Sequence, residues 1–138
     1  MLGPVESLVE ICAFLAAFAA FGWSLGAPFP QGRALLVASG AAFTAVVLWQ
    51  FANAFACRSA TRWPGALGWF TNAHLVAAVG FELMLLLGFL FVPPLANLLG
   101  QAPPGLWGLS VALLAIPMVL FADAIQKRWI ARRTRQPN

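Results

Sequence analysis

The chain reads ALLVASGAAFTAVVLWQFANAFA from residue 34 to residue 56. This stretch contains no charged side chain, and its apolar residues occupy every face of a helix rather than one stripe. A helix needs about 20 such residues to cross the hydrocarbon core of a bilayer. The stretch therefore predicts a transmembrane helix, and the rest of the fold depends on how often this pattern recurs along the chain.

Three further segments are apolar in the same way. The composition agrees, because 62% of the 138 residues are hydrophobic and only 9% are charged, against about a quarter charged in a typical soluble domain. We therefore predict an all-α integral membrane four-helix bundle that forms a single domain over residues 1–138. Its transmembrane spans are predicted at residues 4–25, 34–56, 73–92 and 106–125.

Glycine and proline mark the borders of these predicted spans. The turn GAPFP at residues 26–30 follows the first span, and Pro93 and Pro94 end the third, because proline cannot donate a backbone hydrogen bond to the preceding turn. Pro117 lies inside the fourth span. Residues 126–138 are predicted to form a basic cytoplasmic tail.

Lysine and arginine are distributed unequally between the loops. Arg58 and Arg62 follow the second span, and five more basic residues lie in the tail, whereas the opposite side has only Arg33. Because positive loops stay in the cytoplasm, we predict a multi-pass protein of the cell membrane with both termini cytoplasmic. The tail is expected to contact anionic lipid, and nothing indicates nucleic-acid binding. Its basic residues are Lys127, Arg128, Arg132, Arg133 and Arg135.

Polar side chains inside the predicted spans need an explanation, because a charge at the bilayer centre costs about 2.5 to 3.5 kcal/mol on insertion scales. Glu82 lies near the middle of the third span. Its carboxyl group either binds a cation or proton, or holds the bundle together through internal hydrogen bonds. Gln50, Asn53 and Cys57 share one face of the second span. Amides there either join neighbouring helices or coordinate an ion through their carbonyl oxygens.

The other polar residues have structural interpretations. Glu6 and Glu10 lie in the first turns of the first span, where the positive end of a helix favours carboxylates. Asp123 and Lys127 have the four-residue spacing of an intrahelical ion pair. Both cysteines are predicted to be small buried hydrophobes, and no pattern in the chain indicates a bound cofactor.

Five motifs resemble the C-terminal membrane domain of P-type cation-transporting ATPases, in order and at the right spacing. They are LGPVES at residues 2–7, LWQFANAFACRS at 48–59, FTNAH at 70–74, FVPPL at 91–95 and ADAIQKR at 122–128. The resemblance covers nearly the whole chain. It implies that the four spans correspond to helices seven to ten of a ten-helix pump, whose orientation agrees with the distribution of basic residues.

The resemblance also implies a set of candidate cation ligands, Gln50, Asn53 and Glu82. Gln50 matches a position of the eighth helix where calcium pumps have a liganding glutamate and the sodium pump a glutamine. Asn53 matches an aspartate of the sodium pump, and Glu82 matches a ninth-helix glutamate near a sodium site. The chain departs from the family at Ala124, where an acid often follows the aspartate, here Asp123.

The phosphorylation motif of these pumps, Asp-Lys-Thr-Gly-Thr, does not occur in the 138 residues. We therefore expect no catalytic residues, no ATP hydrolysis and no transport by these residues alone. The expected partners are the lipid bilayer, the remaining helices and cytoplasmic domains of a P-type pump, and a transported cation. Two alternatives stay open. One is a free-standing proton- or cation-coupled small transporter, for which Glu82 is the best candidate carboxylate, although small multidrug exporters have theirs in the first helix and Glu82 lies in the third span. The other is a non-functional pump remnant.

Overall fold

The computed structural model of the protein describes residues 3–59 and 62–133. These residues form six α-helices and one short 3₁₀ helix and contain no strand, in agreement with the predicted all-α class. Residue 2 of the first motif and Arg135 of the tail lie outside the described residues, and so does the side chain of Arg133. The helices are α1 (Gly3–Ala19), α2 (Arg33–Ala56), α3 (Ala73–Phe91), α4 (Pro93–Leu99), α5 (Leu106–Leu113) and α6 (Ala115–Arg133), with the 3₁₀ helix at Pro64–Leu67.

The central helix of the bundle is α2, which packs against α1, α3, α5 and α6. Where α1, α2 and α5 meet, the contact consists of small residues that we call the small-residue seam: Ala13, Ala17, Ala41 and Gly108. A Cβ atom on Gly108 would lie 2.7 Å from the Cβ of Ala41 and 3.3 Å from that of Ala17. Small side chains let helix backbones approach closely, which favours packing in lipid. The seam therefore holds three helices together.

Among the described residues, three helical segments are long and apolar enough to cross a membrane. They are α2, α3 and Leu106–Ile130, which joins α5 to most of α6. Helix α1 has 17 residues, which gives it a length of about 26 Å against a hydrocarbon core of about 30 Å. The count of four spans therefore stays a prediction.

Helix α1 ends at Ala19, earlier than the predicted end of the first span at residue 25. Gly22 has a φ of +81°. The N–H groups of Gly22 and Trp23 donate to the carbonyls of Ala19 and Phe18 at 2.9 and 3.2 Å, which is the Schellman arrangement that closes helices at glycine. The rings of Trp23 and Phe29 then stack with their centroids 5.5 Å apart. Residues 23–29 therefore fold back over the end of α1.

Helix α3 has a defined start and a defined end. The Oδ1 atom of Asn72 accepts a hydrogen bond from the N–H of Leu75 at 3.1 Å, which caps the first turn. At the other end Val92 is extended, because a residue before proline disfavours the helical conformation. The chain then forms α4, which the sequence did not predict, and α4 ends at Gly100 with a φ of +61°.

The fourth predicted span is divided into two helices at Leu114. Pro117 has no N–H group to donate to the carbonyl of Leu113, and the N–H of Leu114 donates to Val111 at 3.0 Å in a tighter turn. Helix α6 continues past residue 125 as far as Arg133. The first part of the predicted basic tail is therefore helical.

The loop before α5 is bonded directly to the backbone of α2. The N–H of Ala102 donates to the carbonyl of Leu36 at 3.0 Å. A Cβ atom on Gly40 would overlap the carbonyl oxygen of Ala102, so only glycine leaves room for this contact. In the same turn, the hydroxyl of Thr44 donates to the carbonyl of Gly40 at 2.7 Å.

Candidate functional site

Gln50 lies on the open side of α2. With about 100° of rotation per residue, it projects from the side of the helix opposite to Ala41 of the small-residue seam, and its side chain is exposed. Its Nε2 donates to Oε1 of Glu6 on α1 at 3.4 Å. Its Oε1 accepts no hydrogen bond from any residue in the described ranges. Gln50 therefore joins two helices through its nitrogen and leaves its oxygen available.

Asn53 lies one turn closer to the end of α2, and it lines a groove of about 270 Å³ between α2 and α6. Its Oδ1 accepts a hydrogen bond from the Sγ of Cys57 at 3.5 Å. Five of its eight lining residues have polar or charged side chains. Its other lining residues are Ala56, Cys57, Ser59, Asp123, Gln126, Lys127 and Ile130.

The predicted ion pair between Asp123 and Lys127 is confirmed, with 2.6 Å between Nζ and Oδ2. Both side chains are buried, since Asp123 is 9% and Lys127 8% exposed. Lys127 also donates to the carbonyl of Ala56 at 2.9 Å. Ala56 is the last residue of α2, where carbonyls lack partners within the helix and carry partial negative charge. Lys127 therefore caps α2 from α6, which the sequence did not predict.

Glu82 lies about 14 Å from the first residue of α3, near the middle of the helix, and its side chain is half-buried. It shares a face with Leu86 and Leu90, because the three follow at four-residue spacing. Both leucines pack on Val47 of α2, so this face is turned towards α2. Among the described residues the carboxylate of Glu82 has neither a hydrogen bond nor an ion pair.

The three candidate ligands have different neighbours within the described residues. Gln50 bonds to Glu6, Asn53 lines the groove beside Asp123, and Glu82 stands on α3. Over residues 3–59 and 62–133, no group of three His, Cys, Asp or Glu side chains is placed to hold a metal ion. A calcium ion takes about six to eight oxygen ligands. These side chains would therefore supply only part of such a set.

Arg58, counted above as an orientation signal, also shapes the loop between α2 and α3. Its Nη1 donates to the carbonyl of Gly68 at 2.6 Å, and its Nη2 donates to the hydroxyl of Thr71 at 2.7 Å. That hydroxyl in turn donates to the carbonyl of Leu67 at 2.8 Å. Hydrogen bonds to a charged group are the stronger ones. Nothing in the sequence pattern marks these partners.

Replacing Arg58 with glutamine is expected to loosen this loop, because both guanidinium bonds are lost. Each such bond is worth about 1.5 to 3 kcal/mol when fully formed, with less expected at an exposed site. Limited trypsin digestion should then cut faster after Arg62, with the product identified by mass spectrometry. Arg33→Gln, on the other side of α2, is the control and should leave that rate unchanged. An unchanged rate in R58Q would contradict this role.

The two cysteines are exposed, so the prediction that both are buried is wrong. Cys12 lies on the exposed side of α1. The buried side of that helix is formed by Val9, Ala13 and Ala17. Cys57 follows the last residue of α2 and lines the groove between α2 and α6. The apolar run around each cysteine did not reveal which side of the helix it occupied.

Comparison with known proteins identifies the family. Residues 1–129 match the family model described as cation transporting ATPase, C-terminus. The chain is similar to Calcium-transporting ATPase 1 of Bacillus cereus, with 32% identity over 125 residues that cover 86% of the chain and 14% of that protein. It is also similar to Calcium-transporting ATPase of Bacillus subtilis, with 34% identity over 100 residues that cover 68% of the chain and 11% of that protein.

The chain thus spans about one seventh or less of the length of these two relatives. No solved structure matches it. The family match nevertheless extends over nearly all of the chain and includes the motifs at residues 48–59, 70–74, 91–95 and 122–128. The chain therefore belongs to the family of C-terminal domains of P-type cation-transporting ATPases.

Proposed function

We propose that this chain forms the C-terminal membrane part of an ATP-driven cation pump, where it supports the transport helices and contributes ligands to the cation path. The observation that carries the proposal is the open polar side of α2. Gln50 is exposed there, on a helix of membrane-spanning length. Its Nε2 is bonded to Glu6, but its Oε1 accepts no hydrogen bond from the described residues, and leaving such an oxygen unpaired in lipid is unfavourable. This side of α2 therefore fits a position against further helices rather than against acyl chains.

The positions of the candidate ligands fit a shared site with those further helices. Gln50 lies about 9 Å from the last residue of α2, and Glu82 about 14 Å from the first residue of α3. These two helix ends are joined by one loop, so the two distances are counted from the same side of the bundle and differ by about 5 Å. The nitrogen of Gln50 is engaged by Glu6, which leaves its oxygen to face a cation. The missing oxygen ligands would come from helices outside these residues.

The proposed topology has four spans with both termini in the cytoplasm of the cell. Helix α1 supplies the fourth span, since it packs along α2 and α5 at the small-residue seam. Its shortfall of a few ångströms is tolerable, because hydrophobic mismatch costs only fractions of a kcal/mol per ångström. The proposed orientation rests on Arg58 and Arg62 in the loop and on the basic residues of α6.

In the intact pump, Gln50→Leu and Glu82→Gln are each expected to weaken the apparent affinity for the transported cation about tenfold, since each removes about 1.4 kcal/mol of ligation. Calcium is the first cation to test, because both relatives are named as calcium-transporting ATPases. The measurement is ATP hydrolysis by the purified intact protein as a function of free cation concentration.

Two variants serve as matched controls. Asn97→Leu removes an exposed amide on α4, and Glu10→Gln removes a carboxylate near the start of α1. Neither should change the cation dependence. If Q50L and E82Q behave like these controls, the chain contributes no ligands, although it can still support the pump as a scaffold.

The carboxylate of Glu82 has no partner among the described residues, which favours one alternative, a free-standing cation- or proton-coupled transporter. The pump assignment and this alternative can be distinguished by the neighbouring genes and by any coding sequence in frame with this one. If they encode no phosphorylation and nucleotide-binding domains, and if vesicles containing only these 138 residues show proton-coupled efflux that E82Q abolishes, the pump assignment fails. Efflux that is absent or unaffected by E82Q argues against the alternative.

A further inference from the structure

Helix α6 has two different faces near its C-terminal end. Asp123 and Lys127 are buried on the side towards α2, where Lys127 caps the end of that helix. The opposite side carries what we call the basic-aromatic face: Ile125, Arg128, Trp129 and Arg132. These residues follow at three- and four-residue spacing, which places them together. They line a shallow groove of about 220 Å³.

The basic-aromatic face continues an apolar surface. One turn earlier Phe121 is 69% exposed, and Ile125 is 52% exposed. Over about 10 Å of helix the surface therefore changes from apolar side chains to two guanidinium groups beside an indole ring. Tryptophan prefers the headgroup level of a bilayer. This order of side chains matches the change from acyl chains to phosphates in one leaflet.

In the described part of the chain, no carboxylate neutralises the two arginines. Arg128 and Arg132 have no hydrogen-bond or ion-pair partner among the described residues. Asp123, the acid nearest in sequence, points to the other side of α6 and is bonded to Lys127. The remaining acids of the chain are Glu6 and Glu10 on α1 and Glu82 on α3. Within residues 3–59 and 62–133 the face therefore keeps two uncompensated positive charges.

We infer that the basic-aromatic face binds the headgroup phosphate of an anionic phospholipid. Side chains four residues apart on a helix are neighbours, about 6 Å apart at their Cβ atoms, so Arg128 and Arg132 can bond to one phosphodiester. Guanidinium groups suit phosphate oxygens because they donate in a planar fork. Ile125 and Phe121 cover the upper acyl chain. Zwitterionic lipids fit less well, since their cationic group meets the arginines.

This site goes beyond the proposed function and does not depend on it. It divides the basic residues of the tail into two groups with different roles. Lys127 is committed to Asp123 and Ala56, whereas Arg128 and Arg132 face outwards. The two groups lie on the same helix, where Arg128 directly follows Lys127. A lipid that binds only the folded α6 therefore also stabilises, by mass action, the hydrogen bond from Lys127 to the end of α2.

The test measures phospholipid binding by the intact protein in neutral detergent. Phosphatidylglycerol and phosphatidylcholine are titrated separately, and retained lipid is counted by native mass spectrometry while the thermal midpoint is followed. The variant R128Q/R132Q is expected to bind phosphatidylglycerol about twenty-five-fold more weakly, since each basic residue near the surface contributes about fivefold. Its thermal midpoint without lipid should equal that of the parent.

Two further variants make the test specific. R33Q/R62Q removes the same charge from two other exposed positions, and R128K/R132K keeps the charge while removing the fork. The first should bind phosphatidylglycerol like the parent, and the second should retain most of the binding. Inorganic phosphate alone should not shift the midpoint, because it lacks the acyl chains that Ile125 and Phe121 contact.

Three results would overturn the site. One is unchanged phosphatidylglycerol binding in R128Q/R132Q. Another is a loss of phosphatidylglycerol binding in R33Q/R62Q as large as that in R128Q/R132Q, which would indicate diffuse attraction by net charge. The third is a midpoint shift of the same size with inorganic phosphate. None of these results bears on the cation dependence of ATP hydrolysis, so this inference and the proposed function can fail separately.

Discussion

Replacing Lys127 with methionine is expected to lower the free energy of unfolding by about 3 to 5 kcal/mol, the usual cost of breaking a buried ion pair from one side. The substitution keeps most of the side-chain volume. It leaves the carboxylate of Asp123 buried without its partner, and it leaves the carbonyl of Ala56 without a donor. Both losses fall at the contact between α2 and α6.

The measurement is denaturant-induced unfolding in a neutral detergent, followed by circular dichroism. Arg128→Met is the matched control, because Arg128 is the next residue and faces outwards, and it should cost little in the absence of anionic lipid. The double variant D123L/K127M should recover most of the loss, since no charge is then left unpaired. A K127M protein as stable as R128M would show that the buried pair contributes nothing.

Replacing Gly40 with alanine is expected to cost about 3 kcal/mol, the upper end of the usual range for overpacking. The new methyl group would overlap the carbonyl oxygen of Ala102, which is backbone and cannot change rotamer. The loop before α5 must then move away from α2. The hydrogen bond from Ala102 to Leu36 at 3.0 Å is lost with it.

Gly80→Ala is the matched control, because a Cβ atom on Gly80 meets no atom within 4 Å. Glycine inside a helix costs roughly 0.5 to 1 kcal/mol relative to alanine, so G80A should be neutral or slightly stabilising. Unfolding of the two variants is compared in the same detergent. Equal stability of G40A and G80A would mean that the contact between Gly40 and Ala102 is looser than the structure indicates.

The apolar runs were sufficient to predict helices, because hydrophobicity averaged over about 20 residues decides between lipid and water as the solvent. Such an average does not detect a single backbone angle. Gly22 was therefore included in the first predicted span, although its left-handed conformation ends α1. Pro117 was recognised, but the break that it causes lies at Leu114. In both places local geometry, rather than hydropathy, determined the end of the helix.

The candidate site could be predicted only in part. The family motifs predicted membership and pointed to Gln50, Asn53 and Glu82, and the roles of these three residues stay predictions. The partners could not be predicted, because nothing in a single sequence links Gln50 to Glu6. The ion pair within α6 follows from its spacing, whereas the bond from Lys127 to Ala56 depends on how α2 and α6 pack.

The bond between Lys127 and Ala56 also has a consequence for biosynthesis. Lys127 lies 71 residues after Ala56, and ribosomes add about 5 to 20 residues per second, so about 4 to 14 s separate the two residues during translation. For that time the carbonyl end of α2 lacks its final donor while the helix is already made. A translational pause within this interval would prolong the exposure of an immature α2 to membrane quality control.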